Sequence, residues 1–308
     1  MTSQLPPDEQ ARRIAAHWDA AAVNNCPGWW AHPRIVQHVN ARVCGRPVKG
    51  TSRGLMEKVK ELFGAQVWDR GVSVGCGSGA KEMAMMDAGI VGAFTLYELS
   101  PVRVEQGRAL AESRGLQDRV EFRIQDAFKA GIPDGSVDFV HWNNSLHHMM
   151  DTPVAVAWSY RILRKGGMFY MDDFIGPTRF QWSDKALELC TAVRASLPEK
   201  YLANLRRPDG REPVRVRRPD PVAFARQDPS EAADSDRIMP ALRKFFPGAW
   251  TMRTGGVIYN CALAHCIQNF NPGDPDDTAL LDGLLVVDDV ALEIPGIESH
   301  YAVALACK

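Results

Sequence analysis

The sequence predicts an α/β fold in which a mostly parallel sheet carries helices on both faces. From about residue 71 to residue 171, short apolar and β-branched runs alternate with helix-compatible segments, and this alternation is typical of parallel sheets. The first run leads into a glycine-rich turn, Gly75-Cys76-Gly77-Ser78-Gly79. The second run ends in an acid, Glu98. A strand, a glycine turn, a helix and a second strand with a terminal acid form a βαβ unit suited to a nucleoside-containing ligand.

Each element of the alternating region follows from its own pattern. Strands are predicted near 71–75, 93–98, 120–124, 137–142 and 168–171, where apolar residues run together. Helices are predicted over 80–88, 101–115 and 153–163, and proline begins the last two, where its missing N–H is tolerated. The sequence Lys165-Gly166-Gly167 is predicted to end the third helix, because basic residues and glycine are typical of helix ends.

Additional helices and strands are predicted on either side of the alternating region. Residues 1–66 are predicted to form an N-terminal helical cap, with helices over 10–22, 33–43 and 53–66. Residues 67–308 are predicted to form the main domain, with substrate-side insertions at about 177–247 and 256–292. Helices are predicted there over 182–196, 236–247, 257–269 and 278–292, and strands over 250–253 and 300–307. The arginine-rich segment 204–222 is either a grip for an anionic substrate or a solvated loop.

Composition argues against several classes of function. The chain has 308 residues, of which 45% are hydrophobic and 24% charged, a profile typical of a globular protein. The net charge of −1 and the lack of a basic stripe argue against nucleic-acid partners, and no apolar run is long enough to cross a bilayer. Seven cysteines without the spacing of a disulfide framework fit a reducing compartment. We therefore expect a cytoplasmic protein with a small-molecule partner, and homodimer formation stays open.

Binding residues are expected at the carboxyl ends of the strands, where ligands bind in such sheets. There Glu98 can accept the two hydroxyls of a ribose, and Asp126 lies where an adenine amine can be held. The turn also fits the loose dinucleotide pattern Gly75-x-Gly77-x-x-Ala80, so an NAD(P)-dependent oxidoreductase is the first alternative. Such an enzyme would need an acid pair near the nicotinamide, and the chain contains no Tyr-x-x-x-Lys sequence.

Taken together, these motifs resemble those of class I S-adenosylmethionine-dependent methyltransferases. The matching pieces are the turn 74–79, Glu98, Gln125-Asp126-Ala127, and the segments 138–148 and 163–168. The resemblance implies a Rossmann-like seven-stranded sheet of order 3-2-1-4-5-7-6 with its last strand antiparallel. It also implies S-adenosyl-L-methionine as cofactor, with the glycine turn at the methionine part, Glu98 at the ribose and Asp126 at the adenine. The cofactor-binding residues implied in this way are Gly75, Cys76, Gly77, Gly79, Glu98, Leu99, Asp126, Ala127 and Asn143.

The segments before and after the matching region give an indication of the molecule that accepts the methyl group. The segments Gly28-Trp29-Trp30 and 172–178 resemble those of methyltransferases found among bacterial glycan and secondary-metabolite enzymes. Trp18, Trp29 and Trp30 could form an aromatic wall over such an acceptor or a plain hydrophobic contact. The expected reaction is methyl transfer to a hydroxyl or an amine of a small molecule, with a sugar or a secondary metabolite as candidates. A non-catalytic protein that binds S-adenosylmethionine is the second alternative.

Transfer to a hydroxyl also requires removal of a proton. His147 and His148 follow the fourth predicted strand and Asp173 ends the fifth, so all three are candidate catalytic residues, with His147 preferred as the base. The alternative is that these side chains cap turns or pack against the next helix. Asp172 and Asp173 could share a divalent cation, but the spacing supplies no third ligand, so no metal site is predicted.

Overall fold

The computed structural model describes residues 7–23, 28–204, 207 and 209–308. The strands are β1 (Trp68–Val74), β2 (Val91–Glu98), β3 (Val120–Ile124), β4 (Val137–Asn143), β5 (Leu163–Phe174), β6 (Trp250–Gly255) and β7 (Tyr301–Cys307). They form one seven-stranded sheet of order β3-β2-β1-β4-β5-β7-β6. Strand β7 runs antiparallel to β5 and β6, whereas the other neighbouring pairs are parallel. The predicted fold class and strand order are confirmed.

Helices cover both faces of this sheet and extend beyond it. They are α1 (Pro7–Val23), α2 (Pro33–Cys44), α3 (Arg53–Phe63), α4 (Ala80–Asp87), α5 (Pro101–Ser113), α6 (Thr152–Ile162), α7 (Asp184–Ser196), α8 (Pro221–Gln227), α9 (Ile238–Phe245) and α10 (Pro275–Ala291). Most fall within a few residues of the predicted helices. Helix α8 was not predicted, because it is short and begins where the arginine-rich segment ends.

Helices α4 and α5 pack closely on the sheet because each has a glycine at the contact. A Cβ atom on Gly79, at the start of α4, would lie 2.6 Å from Cδ1 of Leu96 on β2. A Cβ atom on Gly107, in α5, would lie 2.4 Å from the Phe122 ring on β3. Both helices therefore approach the sheet to a distance that no other residue type allows, and this fixes the glycine turn above the strand ends.

The buried apolar residues fall into three clusters. One lies beneath α3, α4 and α5 and includes Met83, Leu96 and Phe139. The second lies on the other face beneath α6 and α9 and includes Trp142 and Phe169. The third joins the N-terminal region to the two insertions, and Trp29 packs in it against Tyr259 and Tyr301 with ring centroids 4.9 and 5.0 Å apart.

The prediction that Lys165-Gly166-Gly167 ends a helix was wrong. Helix α6 ends at Ile162, and β5 begins at Leu163. The Gly166 N–H donates to the carbonyl of Lys308, and the Lys308 N–H donates to the carbonyl of Gly167. These residues are thus tied to the far end of β7, and pairing between strands outweighs the local signal for a helix end.

The predicted helix over 257–269 was also wrong. Residues Val257–Ala262 form one π-helical turn, and a short 3-10 turn follows at Ile267–Asn269. The Asp288 carboxylate on α10 accepts hydrogen bonds from the N–H groups of Gly256 and Ile258, which sets the start of the turn. The helix was predicted from the local sequence alone, in which the contact with the distant Asp288 is not visible. None of the helices in the described residues is long and apolar enough to cross a membrane.

Candidate functional site

A cavity of about 500 Å³ opens at the carboxyl ends of β1, β2, β3 and β4. This volume falls within the range of small-molecule sites. Its wall combines the glycine turn, the ends of the strands and one face of α1. The residues that line it include Ala11, Ile14, Trp18, Gly75, Cys76, Gly77, Lys81, Glu98, Leu99, Arg103, Gln125, Asp126, Ala127, Phe128, Asn143, Ser145, His148, Met149 and Asp151.

The glycine turn owes its shape to three residues in the left-handed region. Gly75, Gly77 and Gly79 have φ values of 64°, 60° and 69°, which residues with a Cβ atom rarely adopt. Gly75 and Gly77 line the cavity. Gly79 is not among the lining residues. It lies instead where α4 packs against the sheet. Its assignment to the cofactor stays a prediction.

Glu98 ties the end of β2 to the glycine turn. Its Oε2 accepts a hydrogen bond from the Gly77 N–H at 2.8 Å. Its Oε1 accepts from the N–H groups of Leu99 at 2.8 Å and Ser100 at 3.0 Å. The carboxylate is buried yet lines the cavity. It holds the turn in place, and Oε2, which accepts only one of these hydrogen bonds, keeps capacity for a further donor.

Asp126 and its neighbours form the next part of the wall. The Asp126 side chain accepts from the Phe128 N–H at 3.0 Å and so caps a short 3-10 turn, Ala127–Lys129. Gln125, Ala127 and Phe128 line the cavity beside it. One carboxylate, one carboxamide and an aromatic edge therefore meet at the end of β3. Such a set can hold a flat ring with an exocyclic amine.

A hydrogen-bonded network underlies the end of β4. Lys81 Nζ donates to Asn143 Oδ1 at 2.6 Å, and Asn143 Nδ2 donates to Ser52 Oγ at 2.9 Å. Ser52 Oγ in turn donates to Asp172 Oδ2 at 2.6 Å. Burial lowers the pKa of Lys81 and raises the pKa of the Asp172 carboxyl, although the Ser52 hydroxyl and Lys81 oppose the latter shift.

This network was only partly visible in the sequence. Asn143 was predicted, but Lys81 and Ser52 were missed. Lys81 lies two residues after the last glycine of the turn, so its position could have served as a signal. Ser52 lies on the loop before α3, far from the strands in sequence. Asp172 reaches the network through its bond to Ser52 and does not line the cavity among the described residues.

His147 is buried behind the cavity wall, against Asp173. Its Nδ1 lies 2.6 Å from Asp173 Oδ1. The same carboxylate accepts from the N–H groups of Ser145 at 2.9 Å and Leu146 at 2.8 Å. Burial opposes charge on both partners, but their attraction outweighs it, so the pKa of His147 is raised and that of Asp173 is lowered.

Neither His147 nor Asp173 lines the cavity within the described part of the chain. Asp173 is fully buried, and it stabilises the turn after β4 by accepting hydrogen bonds from the backbone N–H groups of that turn. The preference for His147 over His148 as a cavity-facing base therefore finds no support in the positions of the two rings.

His148 is the histidine that lines the cavity. Its Nδ1 lies 3.2 Å from Ser230 Oγ, and its Nε2 lies 4.0 Å from a carboxylate oxygen of Glu231. The ring meets Trp18 edge-on, with centroids 5.0 Å apart. Burial, followed by the neighbouring His147, holds the pKa of His148 well below its usual value, so this imidazole is uncharged near neutral pH.

Helix α1 closes one side of the cavity with Ala11, Ile14 and Trp18. The Arg103 guanidinium lies over the Trp18 ring at 5.0 Å from its centroid. Arg103 Nε is buried and has no hydrogen-bond partner among the described residues. Of the three tryptophans considered for an aromatic wall, Trp18 lines the cavity, Trp29 is buried in the third cluster, and Trp30 is 48% exposed.

The arginine-rich segment contributes no lining residue within its described part. Arg218 donates to the carbonyl of Trp182 and to Asp184, and Arg211 pairs with Glu199. Arg206 lies outside the described residues. These contacts fit the interpretation as a solvated loop.

Comparison with known proteins agrees with this geometry. Residues 72–171 match a family described as a methyltransferase domain. The chain is similar to 27-O-demethylrifamycin SV methyltransferase of Amycolatopsis mediterranei (strain S699), with 32% identity over 121 residues, 39% of this chain and 44% of that protein. It is also similar to a probable chloroplastic tocopherol O-methyltransferase of Oryza sativa subsp. japonica, with 36% identity over 95 residues, 31% of this chain and 26% of that protein. The matches span less than half the length of either relative.

A solved structure extends the likeness of fold beyond the matched domain. Geranyl diphosphate C-methyltransferase of Streptomyces coelicolor A3(2) superimposes with a TM-score of 0.54 and 14% sequence identity, over 99% of both chains. At this identity the likeness concerns the fold. The N-terminal helices and the C-terminal insertions therefore belong to an architecture that another protein also has around such a domain.

Proposed function

We propose that this chain transfers a methyl group from S-adenosylmethionine to a hydroxyl of an uncharged small molecule, since residues 72–171 match a methyltransferase domain. The observation that carries the proposal is the cavity at the carboxyl ends of β1 to β4, whose wall includes Glu98, Asp126 and His148. Glu98 and Asp126 suit the cofactor, and His148 would supply an imidazole beside the acceptor.

The residues of the wall fit the parts of the cofactor. Glu98 would accept from the ribose hydroxyls and Asp126 from the adenine amine, while the glycine turn lets the backbone approach the methionine part. Arg103 adjoins that turn, since a Cβ on Gly77 would lie 3.4 Å from its Nη1. Its unpartnered Nε would take the methionine carboxylate, because a buried guanidinium nitrogen is stabilised by an anionic acceptor. When bound, the cofactor supplies a sulfonium-activated methyl group.

The charges of the wall favour an uncharged acceptor. Of the cations in the described lining, Lys81 is already bonded to Asn143, and Arg103 lies at the cofactor end. A phosphorylated acceptor would need further cations, whereas Glu98, Asp126 and Asp151 add negative charge. Ile14, Trp18 and Met149 provide an apolar surface for the carbon skeleton of the acceptor. The two relatives are named as methyltransferases of small molecules, 27-O-demethylrifamycin SV in one case and tocopherol in the other.

We assign to His148 the part of assisting removal of the acceptor proton. Its ring faces the cavity, and burial keeps it uncharged, so a ring nitrogen retains a lone pair. His147 and Asp173 are positioning residues in this proposal, because they fix the turn that carries His148. Alignment of acceptor, methyl carbon and sulfur would supply much of the rate.

Calorimetry with S-adenosylhomocysteine, with NAD as comparator, tests the cofactor half of the proposal. We expect binding of the former only. Glu98→Gln should weaken it about 10-fold or more, since a hydrogen bond to a charged group contributes roughly 1.5–3 kcal/mol. Glu121→Gln is the matched control, because Glu121 lies on β3 and pairs with exposed Arg123. No binding at millimolar concentration, or equal effects of the two variants, would refute the cofactor assignment.

Methyl-labelled S-adenosylmethionine with a panel of phenols, polyketide alcohols, sugars and amines tests the acceptor half. The proposal predicts label in a hydroxylated, uncharged compound. His148→Asn should lower turnover at least about 100-fold while binding of S-adenosylhomocysteine changes little. Label confined to amines or phosphorylated compounds would contradict it.

A further inference from the structure

Three potential metal ligands meet beside the cavity. One ligand atom from each of His147, His148 and Glu231 lies within 4.8 Å of the other two. His147 Nε2 is 3.6 Å from Glu231 Oε1, and His148 Nε2 is 4.0 Å from Glu231 Oε2. Both separations are too long for hydrogen bonds. The three groups therefore face one another without satisfying one another.

The outer hydrogen bonds explain which nitrogens are free. Asp173 Oδ1 lies 2.6 Å from His147 Nδ1, so that nitrogen carries the donated proton. The Ser230 hydroxyl donates to Asp228 Oδ1 at 2.8 Å, which leaves its oxygen to accept from His148 Nδ1 at 3.2 Å. With a proton on both Nδ1 atoms, the Nε2 atoms are the ones that can present lone pairs on the side of Glu231, and a bound ion would take the place of the second proton that the raised pKa of His147 favours. Two lone pairs and a carboxylate that face the same space form a set of ligands suited to a cation.

The loop that carries Glu231 is held in place. Asp228 Oδ1 accepts from the N–H groups of Ser230 at 2.9 Å and Glu231 at 3.2 Å. Arg179 donates to the carbonyls of Pro229 at 2.7 Å and Glu231 at 2.8 Å. The ligands thus rest on a supporting shell of hydrogen bonds, which metal sites require to fix their geometry.

We propose that His147, His148 and Glu231 bind one divalent transition-metal ion of the zinc type. Bonds of about 2.0–2.2 Å from an ion place tetrahedral ligand atoms roughly 3.3–3.6 Å apart, close to the 3.6 Å between His147 and Glu231. A small rotation of Glu231 closes the longer distance to His148. Two imidazoles with one carboxylate form a ligand set of zinc and ferrous iron.

Three protein ligands leave a coordination position for water or for an oxygen of a bound molecule. Because His148 lines the cavity, that position adjoins the acceptor end. With the ion bound, His148 would be a ligand rather than the base, and the ion would supply Lewis-acid activation of an acceptor hydroxyl, whose proton would pass to solvent. The site itself rests on side-chain geometry and does not depend on the proposed function.

The sequence led to the expectation of no metal. Asp172 and Asp173, considered there as a pair, are occupied by Ser52 and by backbone N–H groups. Glu231 lies more than eighty residues after the histidines and on a different segment. No ligand spacing in the sequence links the three residues, and only the fold brings them together.

A cobalt titration of the chelator-dialysed full chain tests the site. We expect visible absorption bands that saturate at one Co²⁺ per chain and disappear when Zn²⁺ is added. Glu231→Gln should weaken Co²⁺ binding at least about 100-fold, and Asp173→Asn, which alters the support of His147, about 10- to 100-fold. His38→Asn is the matched control, because His38 pairs with a single carboxylate, Asp289, and its titration should equal that of the unchanged chain.

The reading of the titration does not depend on enzyme activity. Thermal unfolding identifies variants that fail to fold. His148→Asn then takes the place of any such variant, because the His148 ring is less buried than that of His147 and its replacement should disturb the fold less. Lack of saturable Co²⁺ bands in the folded chain would overturn the proposal. So would equal binding by the unchanged chain and folded Glu231→Gln. Either result leaves binding of S-adenosylhomocysteine, and with it the proposed function, to its own test.

Discussion

His300 should make the stability of this protein depend on pH in a way that one substitution can isolate. The ring is buried, stacks on Trp182 with centroids 4.2 Å apart, and has Nδ1 3.0 Å from the Gly256 carbonyl. Burial lowers the pKa of His300 to about 4, against the smaller opposing effect of the bond to Gly256. The reference value for unfolded chains is 6.5.

The sign follows from the lowered pKa of the folded state. Below pH 6.5 the unfolded chain binds a proton at His300 and the folded chain does not, so stability falls as pH falls. The loss is complete near pH 4. A difference of 2.5 units, 6.5 − 4, at 1.36 kcal/mol per unit, amounts to about 3 kcal/mol.

Asp288 opposes this effect in the same pH range. Burial raises the pKa of its carboxyl from 3.8 to about 6, so the folded chain favours the protonated form. Its stabilising contribution is complete below pH 3.8 and is lost as pH rises through 6, which amounts to about 3 kcal/mol of opposite sign. The unchanged protein therefore shows only a small net slope from these two groups, and variants are needed to separate them.

Urea unfolding of the unchanged chain and of His300→Asn between pH 7 and pH 4 measures the effect. Asparagine can still donate to the Gly256 carbonyl, so the bond is retained while the titration is removed. The free energy of unfolding of the unchanged chain, minus that of the variant, should fall by about 3 kcal/mol from pH 7 to pH 4. Asp288→Asn should give the opposite slope. A difference that stays constant over this range would refute the reasoning.

Two further predictions concern the site. Asp173→Asn should lower the free energy of unfolding by about 3–5 kcal/mol, because it removes one partner of a buried charged pair and an acceptor of backbone N–H groups; chemical unfolding measures this, and a loss below 1 kcal/mol would contradict the role assigned to it. Gly79→Ala should cost about 1–3 kcal/mol more than Gly77→Ala, since its Cβ would lie 2.6 Å from Leu96 whereas Gly77 meets only the end of Arg103; equal melting temperatures would contradict the packing argument.

The parts of the site that could be predicted from the sequence are local ones. The glycine turn and Glu98 are linked by a hydrogen bond within one βαβ unit, and their spacing is visible without any knowledge of the rest. The strand order followed from the family resemblance, because the alternating segments of the sheet match it. The same holds for Asp126, which lies at the end of a predicted strand.

The remaining parts depend on contacts between distant segments. Which of His147 and His148 faces the cavity is decided by a 3-10 turn and by the buried carboxylate of Asp173. Ser230 and Glu231 come from an insertion whose path the sequence did not reveal. The errors at 165–167 and 257–269 have the same origin, because partners on β7 and α10 outweighed the local preference of each segment.

The position of Trp18 gives the cavity a fluorophore of its own. Its indole contacts both the Arg103 guanidinium and the His148 imidazole, so movement of either group changes the surroundings of the ring. Trp68 and Trp142, by contrast, are enclosed in the apolar interior, where their emission is insulated from events at the strand ends. The emission of Trp18 can therefore follow the filling and emptying of the cavity in real time, without a label attached to the protein or to the ligand.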